Sequence, residues 1–150
     1  MPITVRRAAF VEILPLRHAV LRPGRPLATA YFDGDDAPDT IHLAAVLGGA
    51  VVGCASLMAR PWRDVPGWQL RGMATRADLV RRGIGAALLA AAERAAPPLL
   101  WCNARLAAVP FYARCGWTVV SGEFAVPDVG PHHEMVRRVP LSPSSPPTPV

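Results

Sequence analysis

Arg81-Arg82-Gly83-Ile84-Gly85-Ala86-Ala87-Leu88-Leu89 is the stretch on which the reading of this chain turns. Two glycines one residue apart separate a basic pair from an alanine- and leucine-rich run. That run predicts a helix over 83–96, stopped by Pro97-Pro98. The segment before it, Trp68-Gln69-Leu70-Arg71-Gly72-Met73-Ala74-Thr75, predicts a strand. A strand, a short loop and a helix opened by glycines direct free backbone N–H groups at one point, and the positive end of the helix dipole favours an anion there. Glycines remove the Cβ atoms that would block close approach.

The surroundings of this loop are those of one folded domain. The chain has 150 residues, 51% of them hydrophobic, which suits a single globular core. No apolar run free of charges and breakers approaches the roughly 20 residues of a membrane span, and the N-terminus lacks a signal-peptide pattern, so a cytoplasmic protein without a membrane partner is expected. Cys54, Cys102 and Cys115 are widely spaced in apolar contexts, which fits core residues rather than a disulfide or zinc framework. Net charge is +5, and all 16 basic residues are arginine. The planar guanidinium fork suits phosphate. The arginines are nevertheless scattered and aromatic residues are few, so no nucleic-acid partner is expected.

Working outward, residues 3–8 predict a strand and 10–21 a helix ended by Arg22-Pro23-Gly24-Arg25-Pro26. Residues 27–40 are irregular and acidic, with Asp33, Asp35, Asp36 and Asp39. Residues 41–47 and 50–57 flank Gly48-Gly49 as a hairpin. After the central strand and helix come a strand over 99–104, a short helix over 106–115 closed by Gly116, and strands over 117–121 and 134–139. The tail from residue 140 holds five prolines and three serines and is expected to be disordered. The element order predicts an α/β chain with a mixed sheet.

Three phosphate loops compete for the glycines. A dinucleotide fingerprint needs a third glycine where Leu88 stands, and a nucleoside-triphosphate P-loop needs a lysine in a chain that has none. The third reading fits: Met73-Ala74-Thr75 followed by Arg81-Arg82-Gly83-Ile84-Gly85 resembles the acyl-CoA loop of the GNAT superfamily of N-acyltransferases, L-A-V-x-P-x-x-[QR]-x-x-G-x-[GA]. Val80 stands where that pattern has Gln or Arg. Downstream, Ala108-Val109-Pro110-Phe111-Tyr112-Ala113-Arg114-Cys115-Gly116-Trp117 resembles the superfamily's A-x-x-F-Y-x-x-x-G-F. Leu16-Arg17-His18-Ala19-Val20-Leu21, the group Asp36, Asp39 and His42, and Gly130-Pro131-His132-His133-Glu134-Met135 resemble its ElaA-like branch.

The resemblance, covering about residues 3–139, implies a mixed, mostly antiparallel sheet flanked by helices, with a V-shaped splay between the two central strands. It implies one acyl-CoA N-acyltransferase domain over 1–139. The reaction is transfer of a short acyl group, usually acetyl, from acetyl-CoA as co-substrate to a small-molecule or peptide amine, by direct attack in a ternary complex. Homodimers are common in the superfamily. Pyrophosphate falls to Arg81, Arg82, Gly83, Ile84, Gly85 and Ala86. Pantetheine pairs with the backbone of Met73, Ala74 and Thr75, where Gly72 fits a bulge that starts the splay. An N–H near Met73 faces the thioester oxygen. Asn103 and Arg105 face the cofactor from the next strand. Tyr112 takes the position of the acid that protonates the leaving thiolate. The base is left among His42, His132, His133, Glu12, Glu123, Glu134 and a water chain, and His132 carries the late motif. Arg71, on a central strand, needs a partner, with an acyl, substrate or carboxylate contact open to it. Neighbouring strand residues face opposite ways, so His132-His133-Glu134 is not read as a metal site. A non-catalytic acyl-CoA sensor on the same fold is the competing function.

Overall fold

The computed structural model describes residues 2–140, so the tail expected beyond them lies outside the described residues. The chain runs β1 (Thr4–Ala8), α1 (Phe10–Leu21), β2 (Ile41–Leu47), β3 (Ala50–Ala59), β4 (Trp68–Thr75), α2 (Ile84–Ala95), β5 (Leu99–Arg105), α3 (Val109–Arg114), β6 (Thr118–Val119), β7 (Phe124–Val126) and β8 (Gly130–Arg138). One sheet holds all eight strands in the order β1-β2-β3-β4-β5-β8-β6, with β7 also paired to β8. Only β4 and β5 run parallel; the other pairs are antiparallel. Among the described residues no helix is long and apolar enough to cross a membrane.

Helices cover both faces. On one, Ile84, Leu88, Leu89 and Ala92 of α2 are buried against Leu43, Leu57, Leu70 and Leu100 of the sheet, with Tyr112 of α3 in the same core. Burying each large aliphatic side chain there stabilises the fold by about 1.5–3 kcal/mol. On the other face, Ile13 of α1 packs on Ala44, Cys54 and Ala74. Leu70 and Ala74 lie four apart on β4, yet they face opposite helices. Gly72 causes this: its φ is +65°, and the register with β3 shifts between Cys54 and Ser56. The bulge flips the alternation and bends the strand.

The consequence is the splay. β4 and β5 pair only at Trp68↔Leu100 and Gln69↔Trp101, then part. β5 stays zipped to β8 along its whole length, from Leu99↔Arg138 to Arg105↔His132. Beyond Gln69 the facing edges of β4 and β5 therefore present unpaired backbone groups to a shared opening. Such groups call for a hydrogen-bonding occupant.

Several expected boundaries differ, and β3 runs on to Ala59 rather than ending at Leu57. The strand expected over 117–121 is only Thr118–Val119, because the Trp117 N–H turns back to the Tyr112 carbonyl at 3.0 Å and the ring is buried. β7 was not expected, and β8 begins at Gly130 rather than Glu134. Gly130 and Pro131 read as breakers, but they form the start of a hairpin in which Val126 pairs with Gly130. The short helix over 106–115 divides into a 3-10 turn, Leu106–Ala108, and α3.

Candidate active site

The splay opens into a cleft of 780 Å³ that runs through the sheet between β4 and β5. The glycine loop closes its wide end. Arg81 (φ +65°) and Gly83 (φ +81°) both take left-handed conformations, and Gly83 is the N-cap of α2 with no side chain capping the first turn. The first helical hydrogen bond runs from the Ala87 N–H to the Gly83 carbonyl. The N–H groups of Ile84, Gly85 and Ala86 thus have no partner within the helix, and all three residues line the cleft. A Cβ on Gly85 would lie 2.9 Å from Phe111 Cζ, so the cradle and α3 touch.

Tyr112 lines the cleft from the α2–α3 side of the sheet. Its ring is buried with centroids of Phe111 and Trp117 each 5.3 Å away. Burial, reinforced by Cys102 and Cys115, pushes its hydroxyl well above the ordinary tyrosine range, which keeps it protonated. Among the described residues no protein group hydrogen-bonds that hydroxyl.

The opposite wall comes from the α1 side. Asn103 and Arg105 alternate along β5 with the buried Cys102 and Ala104, and so face away from Tyr112. His132 sits opposite Arg105 in the β5–β8 register and shares its face. The His132 Nδ1 lies 2.8 Å from the Gly130 carbonyl, which can only accept, so Nδ1 is the donor in that contact and Nε2 is the ring nitrogen it leaves over. The ring stacks on Phe124 at 6.0 Å. Arg22, at the end of α1, and Phe32 complete this wall with Arg71 of β4. The Phe32 centroid lies 4.7 Å from the Arg71 guanidinium carbon and 5.5 Å from that of Arg22. Burial disfavours the charged forms of both, helped by Arg60 at Arg71 and by Arg105 at Arg22. Arg22, Arg71, Arg81, Arg105 and Arg114 all line the cleft, and among the described residues no aspartate or glutamate does.

Of the residues expected from sequence, Met73, Ala74, Thr75, Arg81, Gly83, Ile84, Gly85, Ala86, Asn103, Arg105, Tyr112 and His132 all reach this one cleft. Arg82 does not. The left-handed turn at Arg81 makes the consecutive side chains diverge, and Arg82 is exposed outside the lining. The other candidate bases lie elsewhere. Glu12 caps the start of α1 and pairs with Arg6, and these hydrogen bonds lower its pKa. His42 is buried against Ser56, Glu134 is held by Trp62 and Arg63, His133 faces Ser121, and Glu123 is exposed. Of the acids at 33–39, Asp33 pairs with Arg60 and Asp35 with Arg17, and none of the four lines the cleft.

Arg22, Phe32 and Arg114 were not foreseen as lining residues. Arg22 carried one usable signal, as the first residue after α1 in a proline- and glycine-rich turn. Arg114 stands at a free position of the Phe-Tyr motif, and Phe32 had no signal, because only folding brings its segment to β4.

Residues 9–117 match the acetyltransferase (GNAT) family. The uncharacterized N-acetyltransferase YitI of Bacillus subtilis is 27% identical over 140 residues, covering 89% of this chain and 94% of YitI. The fold is similar to the crystal structure of Escherichia coli ElaA (TM-score 0.75, 17% identity, 91% of this chain and 100% of that one). It is also similar to an aminoglycoside 6'-N-acetyltransferase complexed with coenzyme A (TM-score 0.71, 14% identity, 93% of this chain and 99% of that one). A glycine-opened helix at the mouth of a β4–β5 splay, with a family match over most of the chain, places this protein in the acetyltransferase (GNAT) family.

Proposed function

We propose that this protein transfers an acyl group, acetyl foremost, from acyl-CoA to an amine that also carries an anionic group such as a carboxylate or phosphate. The observation that carries the second half is the α1-side wall: arginines, an aromatic ring and a histidine, with no carboxylate among the described lining residues. A polyamine or an unadorned lysine side chain would meet like charge there. An anion would gain charge-assisted hydrogen bonds from Arg22 and Arg71.

The roles follow from position. The N–H groups opening α2, with Arg81, hold the pyrophosphate. The free edge of β4 at Met73 and Thr75 pairs with pantetheine amides, and an N–H near Met73 meets the thioester oxygen as it gains charge. His132 Nε2 accepts a proton from the amine as its nitrogen bonds to the acyl carbon. Tyr112, on the other face of the splay, gives a proton to the sulfur as the carbon–sulfur bond breaks. The two protons exchange with solvent between turnovers. Acylation of an enzyme thiol is disfavoured, because burial raises the pKa of both Cys102 and Cys115, the cysteines at the cleft.

The test is release of CoA thiol from acetyl-CoA with matched amines: amino acids, their uncharged amides, and diamines. The expected result is a kcat/KM about ten- to a hundredfold higher for an anionic amine than for its uncharged counterpart. Preference for diamines would overturn the anionic acceptor. CoA binding without turnover on any amine would favour the sensor.

A further inference from the structure

Arg17 is a buried charge that the reaction above does not use. It sits on α1 with no exposed surface. Its Nη1 donates to the Ala30 carbonyl at 2.9 Å and to Asp35 Oδ2 at 2.7 Å; its Nη2 donates to Asp35 Oδ1 at 3.0 Å and to Ser56 Oγ at 2.8 Å. Asp35 is therefore gripped at both oxygens, and Oδ2 also accepts the Phe32 N–H at 2.6 Å. His42 completes the clasp: Nε2 lies 3.0 Å from the Asp35 carbonyl and Nδ1 lies 2.6 Å from Ser56 Oγ. Arg17 Nε lies beneath the β4 bulge, where a Cβ on Gly72 would come within 2.8 Å of it.

This assembly stands directly behind the acceptor wall. The Phe32 centroid is 4.2 Å from the Arg17 guanidinium carbon and 4.7 Å from that of Arg71. Asp35 is near enough to favour the charged form of Arg71, yet no salt bridge joins them. A loose Asp35 carboxylate would pair with Arg71, the cleft-lining cation whose charged form it already favours. It does not, because a bidentate fork with two further hydrogen bonds to Arg17 is the better site.

We infer that Arg17 is a specificity-determining positioning residue: by sequestering Asp35 it leaves the guanidinium of Arg71 unpaired for the anionic group of the acceptor. This inference rests on the acceptor class proposed above. Its logic differs from that of a merely structural ion pair. If Arg17 acts by withholding Asp35, removing Asp35 as well should restore what the loss of Arg17 takes away.

The experiment compares the full chain with R17M, D35N and the R17M/D35N pair. KM and kcat are measured for an anionic amine, its uncharged counterpart and acetyl-CoA, alongside thermal unfolding. R17M is expected to raise KM for the anionic amine on the order of tenfold, with KM for acetyl-CoA and for the uncharged amine little changed. The double variant is expected to recover an anionic-amine KM within about threefold of the unsubstituted protein, although every Arg17 contact is still missing. A double variant as impaired as R17M would overturn the inference. R17M leaves a buried carboxylate unpaired; should it fail to fold, the double variant has no such charge. D35N then supplies the remaining reading: an unchanged anionic-amine KM is expected, and a tenfold rise would show that Asp35 itself serves the acceptor. Failure of the acceptor class is distinguishable, since the unsubstituted protein would then show no preference for the anionic amine.

Discussion

Replacing Tyr112 by Phe removes one oxygen and keeps the ring. The packing that holds the side chain is aromatic, with Phe111 and Trp117 centroids at 5.3 Å, and none of it depends on the hydroxyl. The hydroxyl engages no protein group among the described residues, so its loss orphans no buried partner. Stability is expected to stay within about 0.5 kcal/mol of the parent, a shift of roughly 1–2 °C in Tm. Acetyl-CoA affinity is expected to stay within about twofold, because α2 amides and Arg81 hold the phosphates elsewhere in the cleft. The chemistry should suffer alone. A positioned general acid contributes about 10²–10⁴ in rate, equivalent to about 2.7–5.4 kcal/mol of barrier. Burial adds a signature: a hydroxyl held above its usual range of about 10 stays protonated, so kcat should show no alkaline loss from Tyr112 below about pH 9. Thiol release gives kcat, calorimetric titration gives CoA affinity, and a thermal melt gives stability. A kcat within about threefold of the parent would refute the acid role. A fall in kcat that tracks a loss of several degrees in Tm would assign the effect to packing instead.

Gly72→Ala places a Cβ in a left-handed conformation and 2.8 Å from Arg17 Nε, which cannot retreat while its fork holds Asp35; a loss of about 2–3 kcal/mol is expected in denaturant melts, and a loss under about 0.5 kcal/mol would contradict the bulge geometry. Gly85→Ala has ordinary helical backbone and gains about 0.8–1 kcal/mol of helix propensity, but its Cβ meets Phe111 Cζ at 2.9 Å; stability should change by less than about 1 kcal/mol while KM for acetyl-CoA rises, and an unchanged KM would show that the cradle tolerates the shift. Cys115 is half-buried at the cleft whereas Cys54 and Cys102 are buried; alkylation should modify Cys115 first and CoA should protect it, and labelling unaffected by CoA would place the cofactor elsewhere. Burial pushes the Cys54 thiol up to about 11 and holds Cys102 and Tyr112 above their usual ranges. These groups bind protons more tightly when folded, so their contribution is intact below about pH 8, begins to fall once pH passes about 8.5–10, where the unfolded thiols and phenol ionise, and goes on falling until the folded groups ionise, at about 11 for Cys54. Denaturant melts at pH 7, 9 and 10 should show the decline, and a flat profile would argue against dry burial.

Much of the fold is local and therefore legible. α1 and β4 fall on their expected boundaries because Arg22-Pro23-Gly24 stops the helix and Pro66-Gly67 precedes the strand. Gly72 reads as a bulge because a glycine inside an apolar strand has few other uses. The elements that were misread, β6, β7 and the start of β8, are short or open on Gly-Pro, where pairing across the sheet outweighs local preference. At the site, twelve cleft residues carried a motif signal, since glycine loops and a Phe-Tyr helix are contiguous in sequence. Arg82 failed as a lining residue because a single left-handed residue decides which of two adjacent arginines faces inward.

From its residues alone the chain determined a strand, a glycine-opened helix and an aromatic helix in the order an acyl-CoA fold uses, because helix periodicity, turn chemistry and free helix N–H groups act over a few neighbours. Only the tertiary structure decided the character of the acceptor wall. The decisive contacts join distant segments: Arg17 with Asp35 across 18 positions, Arg17 with Ser56 across 39, and Arg22 beside Arg105 through the chain's two halves. Charges read singly along a sequence looked like an acidic loop set in a basic chain. Folding pairs the two acids nearest the wall with arginines behind it and leaves other arginines unpaired in front, and that sorting exists only once α1, the 33–39 stretch and the open edges of β4 and β5 share one space.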